Sequence, residues 1–439
     1  MEKPISINTE NTLGSSNSKK FVINKTEIVV FCLVFIGFFF QMFPQMHGRF
    51  IIVYYLSTLI FLAYVTLQTL GFEKFHYNKP ILFAYFLFLC WLFYGLIRTY
   101  FNSDHEVAGT FLHLRMMYFF IFYVVTQYLQ KENRLRIFEN IVVICVIWNI
   151  LVCFWEMSTL THLPGSRHYG RLIPTPTGSF YNENDLASAF LICCAALFYL
   201  KGNFYRHFGI TLVIIVFIIT CVQGARLNLM ALFPILLLHF FFKTKLSYKL
   251  ITILSLTLIF TFLLMKFPLI KLYVDYLIED QILSFGTEME SDRLGSMRQR
   301  VSLYIACLEM FVETYGFGVG VGQFERSVSL EQLISTGSID IPHNFFLEIL
   351  ATEGIVAIIL LLAIVFSPLL PILKSKNRSS ILSLLNLKTL SENEKRVLTF
   401  LFFFIVAAAV PSSIRFQFPY WSLLGFHYAL IYSKNECNT

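Results

Sequence analysis

The sequence predicts an all-α polytopic membrane protein with about twelve transmembrane helices. Three observations carry that prediction. Of 439 residues, 56% are hydrophobic and only 14% charged, a balance that soluble domains do not show. Apolar segments long enough to cross a bilayer follow one another along most of the chain. The lysines between them recur in every second connection, as the positive-inside rule requires. The 49 phenylalanines exceed what one core needs and suit a surface that faces lipid.

Residues 1–27 are rich in Ser, Asn and Lys and read as a disordered cytoplasmic tail, with a second short tail at 434–439. Spans are expected at 28–43, 50–70, 81–100, 107–129, 137–159, 184–200, 208–223, 227–242, 249–266, 343–370, 397–413 and 418–433. With both termini cytoplasmic, Lys74, Lys79, Lys131, Lys201, Lys243, Lys245 and Lys374 all fall on the inner side. The opposite orientation fails at almost every connection. Residues 28–433 thus form one transmembrane domain, with a large extracytoplasmic loop at 267–342. The net charge of +7 follows this topology and gives no argument for nucleic acid. Nine cysteines show no CxxC pair, so neither a disulfide framework nor a metal site is expected.

The outer connections carry almost entirely arginine, against only Lys266 and Lys271, where the inner ones carry mostly lysine: Arg49, Arg98, Arg167, Arg171, Arg226, Arg293, Arg298, Arg300, Arg326 and Arg415. A guanidinium pairs bidentately with phosphate or carboxylate, so several of these are expected to converge on an anionic ligand. Scattered surface arginines are the plain alternative. Arg226, in GARLNLM, occupies a very short turn at headgroup level, where it either grips a lipid-linked phosphate or snorkels. Arg298 and Arg300 open an amphipathic helix, whose Val301, Tyr304, Ile305, Leu308, Phe311 and Val312 are expected to bury one face on the membrane domain. Gly316 to Gly322 follow a helix and lack Gly-Lys-Ser/Thr, so they read as a turn folding that helix back and not as a phosphate loop. Asn184-Asp185 reads as a helix N-cap. His343, between Pro342 and Asn344 at the start of a span, is either a general base at the membrane boundary or an interfacial histidine. Glu348 and Glu353 lie within that span, where a carboxylate marks function or a buried ion pair. Gly354 suits close helix approach.

Four patterns together resemble the O-antigen ligase and polymerase superfamily of polytopic glycosyltransferases, which has a GT-C-like fold. They are GSFYNENDLA, GARLNL, RQRVSLYIACLEMF with GFGVGVGQF, and PHNFFLEILATEG, spanning about residues 165–365 in that order. The resemblance implies a glycan donor on undecaprenyl pyrophosphate, a glycan acceptor and an active site at the outer face of the bacterial cytoplasmic membrane. It also implies a possible chain-length regulator as partner, and no cofactor. By position it assigns Arg226 and Arg300 to the pyrophosphate, with Arg298 competing for the same role, and His343 to acceptor activation. The polymerase branch also places arginines in an earlier outer loop, here Arg167 and Arg171, and Asn184, Asn344 and Glu348 stand in the quoted patterns as further expected substrate contacts. HLPGSRHYGRLIPTPTGSFYNEND resembles polymerases more than ligases. A ligase of the same superfamily is the close alternative; a flippase for lipid-linked sugars is the alternative of another class.

Overall fold

The computed structural model describes residues 49–71, 75–76, 78–101, 105–130, 132–243, 293–327, 344–374, 390–409 and 418–432. The expected spans 28–43 and 249–266, both tails and most of the 267–342 loop lie outside the described residues. Every regular element among the described residues is a helix. In chain order they are α1 (Arg49–Thr69), α2 (Lys79–Tyr100), α3 (His105–Tyr128), α4 (Glu132–Thr159), α5 (Glu183–Leu197), α6 (Asn203–Gln223), α7 (Arg226–Lys243), α8 (Arg293–Glu313) and α9 (Phe324–Ser327). After these come α10 (Phe345–Phe366), α11 (Leu369–Lys374), α12 (Glu392–Ala409) and α13 (Phe418–Tyr432). By length and composition, four described helices can cross a membrane: α2, α4 from Arg134, α6 and α10. Their outward surfaces are apolar. On α2, Phe83, Phe86, Leu89, Phe93 and Leu96 are all exposed, an arrangement that hydrocarbon tolerates and water does not.

Local chemistry sets the helix ends. Pro80 stands in the first turn of α2, where a missing amide is harmless. Gly224 closes α6 in the left-handed conformation at φ 67°, and the two-residue turn to Arg226 follows. The cap of α5 is Asn182, whose side chain accepts from the Asp185 amide at 2.8 Å. This corrects the expected cap at Asn184-Asp185, which lies inside the first turn instead. An Asx cap bonds the amide two or three residues on, so the first asparagine of Asn-Glu-Asn fills that role.

α13 is the centre of the bundle, its Tyr420, Trp421, Leu424, Phe426, His427 and Tyr428 all buried. It packs along α3, α10 packs along α2, and α12 along α5. Trp421 stacks on Tyr118 at 4.4 Å, and Gly425 lets α13 approach Val125 closely. At the far end from the loops, buried Arg396 of α12 pairs with Glu139 of α4 at 2.5 Å and donates to the Ala196 carbonyl of α5 at 3.0 Å. A buried ion pair contributes little net stability, but it fixes which helices meet.

α10 is two half-helices. Gly354 interrupts it at φ 81°, ψ −170°, breaking the backbone ladder inside a span. Freed polar groups in an apolar surround must find partners, and a second segment supplies them. The turn after α8 lies against the break: Val319 N–H donates to Ala351 O (2.8 Å), Gly320 N–H to Thr352 O (2.8 Å), and Ile355 N–H to Gly316 O (2.9 Å). Tyr94 Oη donates to the Glu353 carbonyl at 2.7 Å. A Cβ on Gly354 would strike Gly316 O and Phe317, and one on Gly318 would lie 2.6 Å from the Thr352 carbonyl carbon. The glycine run is therefore a docking turn, its amides taken by helix carbonyls.

The amphipathic helix differs from expectation in which face it buries. Leu303, Ala306, Cys307 and Met310 are buried, with Leu303, Cys307 and Met310 clustered with Phe324 and Ala351, whereas Val301, Ile305, Leu308 and Val312 are exposed. The sequence carries apolar residues on both sides of α8, so periodicity alone does not choose; docking through the glycine turn does.

Gly318→Ala and Gly354→Ala should each destabilise the protein by about 2 kcal/mol or more, since strain and steric overlap combine. Gly170 also has positive φ (75°) but open space around it, so Gly170→Ala should cost only about 1 kcal/mol. Thermal melting of the detergent-solubilised variants separates the two cases.

Candidate functional site

The functional candidates gather at one end of the bundle. α3 and α4 are antiparallel, so the α2–α3 connection and the α4–α5 loop share an end. Gln223, at the close of α6, donates to Pro176 O of that loop at 2.9 Å and brings the Arg226 turn there too. α10 joins them because Arg98, near the end of α2, donates to Gly318 O at 2.5 Å.

Arg226 begins α7, one residue after buried Ala225. Its turn is held on two sides, by Gln223 and by Asn228, whose Nδ2 reaches Ser188 Oγ at 3.3 Å. Arg298 and Arg300 both lie on α8. At 100° per residue, position 300 shares a register with buried Leu303 and Cys307, and position 298 with exposed Val301 and Ile305. His343 lies outside the described residues; its neighbour Asn344 caps α10, its Oδ1 accepting from the Phe346 and Leu347 amides at 3.1 Å each. That role occupies the Asn344 oxygen.

Below Asn344 a cleft of about 340 Å³, its open mouth included, runs between α2, α3 and α10. Glu348, Thr352 and Glu353 line it from α10, Arg115 and Tyr118 from α3, and Trp91 from α2. Glu353 pairs with Arg115, both buried, and accepts from Trp91 Nε1 at 3.1 Å. The Arg115 guanidinium lies 5.3 Å from the Trp91 ring centroid and stands over Gly95, which has no side chain to obstruct it. This answers the sequence question about Glu353: it is half of a buried ion pair beside the helix break. Arg115 was not singled out from the sequence, although an arginine inside an apolar span is itself the signal.

The loop from 160 to 182 is built on Glu156, another carboxylate within a helix. Its two oxygens accept from Thr177 N–H (2.8 Å), Thr177 Oγ1 (3.0 Å) and Gly178 N–H (2.7 Å), and meet His162 Nδ1 at 2.9 Å. His162 Nε2 faces the Ile173 carbonyl at 2.7 Å. Both ring nitrogens thus face acceptors, an arrangement only the imidazolium satisfies. Burial works against that charge, but the Glu156 hydrogen bond and the Ile173 carbonyl outweigh it and raise the His162 pKa. His168 goes the other way. Burial lowers its pKa, Glu183 opposes and the Arg167 charge adds to the lowering. Arg167 pairs with Glu183 and donates to His168 Nε2 at 3.2 Å, so its charge is already balanced within the loop; Arg171 is exposed. Asn184 is half-buried in the first turn of α5.

The comparisons with known proteins bear on this same region. A family model described as O-antigen ligase matches residues 208–362, from α6 to α10. The chain is also 25% identical, over 366 residues, to the teichuronic acid biosynthesis protein TuaE of Bacillus subtilis (strain 168). That match covers 78% of this chain and 70% of the relative.

Arg115→Met and Glu353→Leu should each cost about 3–5 kcal/mol by leaving one buried charge alone, and the double variant should lose clearly less than the sum. Denaturation of the three variants in detergent measures the coupling. The histidines should titrate in opposite senses around the ordinary value of about 6.5. On acidification His162 takes its proton first; its stabilising pair persists at low pH and is lost as pH rises through its raised pKa. The contribution of His168 is present above about 6.5 and lost as pH falls through its lowered pKa. Histidine-labelled NMR spectra, assigned with His162→Gln and His168→Gln, give the order directly.

Proposed function

We propose that the chain is a member of the O-antigen ligase and polymerase superfamily that polymerises oligosaccharide repeat units carried on undecaprenyl pyrophosphate at the outer face of the bacterial cytoplasmic membrane. The observation that carries the reading is the docking of α8 on the broken helix α10. It brings the helix of Arg298 and Arg300 against the first half of α10, within the span of the family match.

In this reading, Arg226 and Arg300 bind the pyrophosphate. Leaving-group charge grows as the glycosidic bond breaks, and preorganised guanidinium groups in a poorly hydrated site stabilise that growth. His343 takes the proton of the acceptor hydroxyl, which attacks the anomeric carbon opposite the leaving group and inverts it. Arg298 competes with Arg300 for the pyrophosphate, since both stand in the first turns of α8. Arg167, Arg171, Asn184, Asn344 and Glu348 remain proposed substrate contacts, with Arg167 also paired to Glu183. The expected topology, with both termini cytoplasmic and one transmembrane domain over residues 28–433, belongs to the same proposal.

The family description names a ligase, which keeps transfer to a separate acceptor as the second reading. The relative's name places it in teichuronic acid biosynthesis and favours the polymer-building branch. Purified protein with lipid-linked repeat units alone should yield a ladder of products. A single product that forms only when a separate acceptor is added would establish the ligase instead. His343→Ala should lower the rate by roughly 10²–10⁴-fold with donor binding kept. Arg226→Lys and Arg300→Lys should impair turnover although charge is retained, because the bidentate fork is lost; comparison with Arg298→Lys tells which of the two α8 arginines binds.

A further inference from the structure

α8 presents apolar residues in two directions. One side, with Leu303, Cys307 and Met310, is buried among Phe324 and Ala351. On another, Val301, Ile305, Leu308 and Val312 follow at spacings of four, three and four, and are 47%, 50%, 48% and 70% exposed. Tyr315 and Phe317 extend this stripe past the helix end, at 92% and 57% exposed. From Val301 to Glu313, charged and hydroxyl residues other than Tyr304 keep to a narrow strip of Ser302, Glu309 and Glu313. A helix bathed in water presents a wide polar face; this one does not.

The place of the stripe in the fold indicates what covers it. Gly316, between Tyr315 and Phe317, accepts the Ile355 amide at 2.9 Å. Ile355, Val356 and Ile359 are exposed on α10, one of the helices long and apolar enough to span a membrane. The stripe is therefore continuous with the outward surface of a span. It also lies level with span interiors. The turn after α8 docks on Ala351, Thr352 and Ile355, well inside α10, and the adjacent Glu353 meets Trp91, more than two turns from the end of α2.

We infer that α8 is a membrane-boundary helix whose Val301, Ile305, Leu308 and Val312 contact bilayer hydrocarbon, with the Glu309–Glu313 strip toward water. Such a helix binds through buried apolar area along one sector while its polar residues stay hydrated. The consequence is spatial. The first turns of α8, which carry Arg298 and Arg300, are then held at the membrane boundary and not in an aqueous loop. The inference concerns where α8 lies, and it stands or falls independently of the reaction.

The test places single spin labels on the full chain in lipid nanodiscs, at Val301→Cys, Ile305→Cys, Leu308→Cys, Val312→Cys, Glu309→Cys and Glu313→Cys. The background has its label-accessible native cysteines replaced and keeps the native melting transition. Collision rates with oxygen and with Ni-EDDA are compared. Oxygen should dominate at the four apolar sites and Ni-EDDA at the two acidic sites. Ni-EDDA dominating at the four apolar sites would place them in water and overturn the inference. Low collision with both reagents there would mean that protein covers the stripe, another part of this chain or a second copy, and would overturn it as well. A diazirine-bearing phosphatidylcholine provides a second readout: cross-links should fall on the peptide holding residues 301–312, and their absence counts against lipid contact.

Discussion

A helix broken inside an apolar bundle cannot stand without outside help, and most of the loop-end architecture follows from the help given to α10. Interrupting the ladder at Gly354 frees backbone groups that neither lipid nor aliphatic side chains can satisfy. Three carbonyls and one amide around the break find partners on two other segments, the glycine turn and Tyr94 of α2. The requirement is mutual. The turn needs positive φ at Gly316, Gly318, Gly320 and Gly322 to present its backbone to α10, and the break needs that backbone. Because the turn closes α8, whatever positions the turn positions that helix as well.

The charged groups around the break follow the same logic. Glu353 is the last residue before it, and its side chain is buried on Arg115 and Trp91. A lone carboxylate would be costly there, and so would a lone guanidinium; together they key α3 and α2 to α10. Arg98 completes the arrangement by donating to Gly318 O, so α2 touches both the break and the turn. The Arg226 turn is secured separately, through Gln223 to the loop and Asn228 to α5. Two independent scaffolds thus bring arginine-bearing segments to one end of the bundle.

Much of this was legible in the sequence, for reasons that also explain the gaps. Helix bounds follow the apolar runs closely because Gly224, Asn182 and the lysine-bearing connections punctuate them. The turn role of the glycine run could be read from its position after a helix. Its docking partner could not, since nothing in Gly316–Gly322 encodes Ala351 or Ile355. The buried face of α8 was misread because two apolar stripes share one helix, and only the tertiary contact selects Leu303 over Ile305. Arg115 was overlooked among outward arginines because it sits inside a span, yet that isolation is what marks its pairing with Glu353. The loop arginine Arg167 looked available for an anion, but Glu183, fifteen residues beyond neighbouring His168, already holds it.

A discontinuous helix also bears on the alternative of a carrier for lipid-linked sugars, since transporters expose unwound backbone to their cargo near the middle of the membrane. Here the unwound groups are closed off. Ala351, Thr352 and Glu353 carbonyls accept from Val319, Gly320 and Tyr94, and the Ile355 amide donates to Gly316. These four groups are engaged within the protein, and releasing them would undo the contact that holds α8 in place. A rocking or gating motion through this region would therefore break several buried hydrogen bonds at once. The geometry suits a fixed site better than an alternating one: the break serves as a joint that locks α8 and α10 together, and a reaction that depends on preorganised charge benefits from that rigidity.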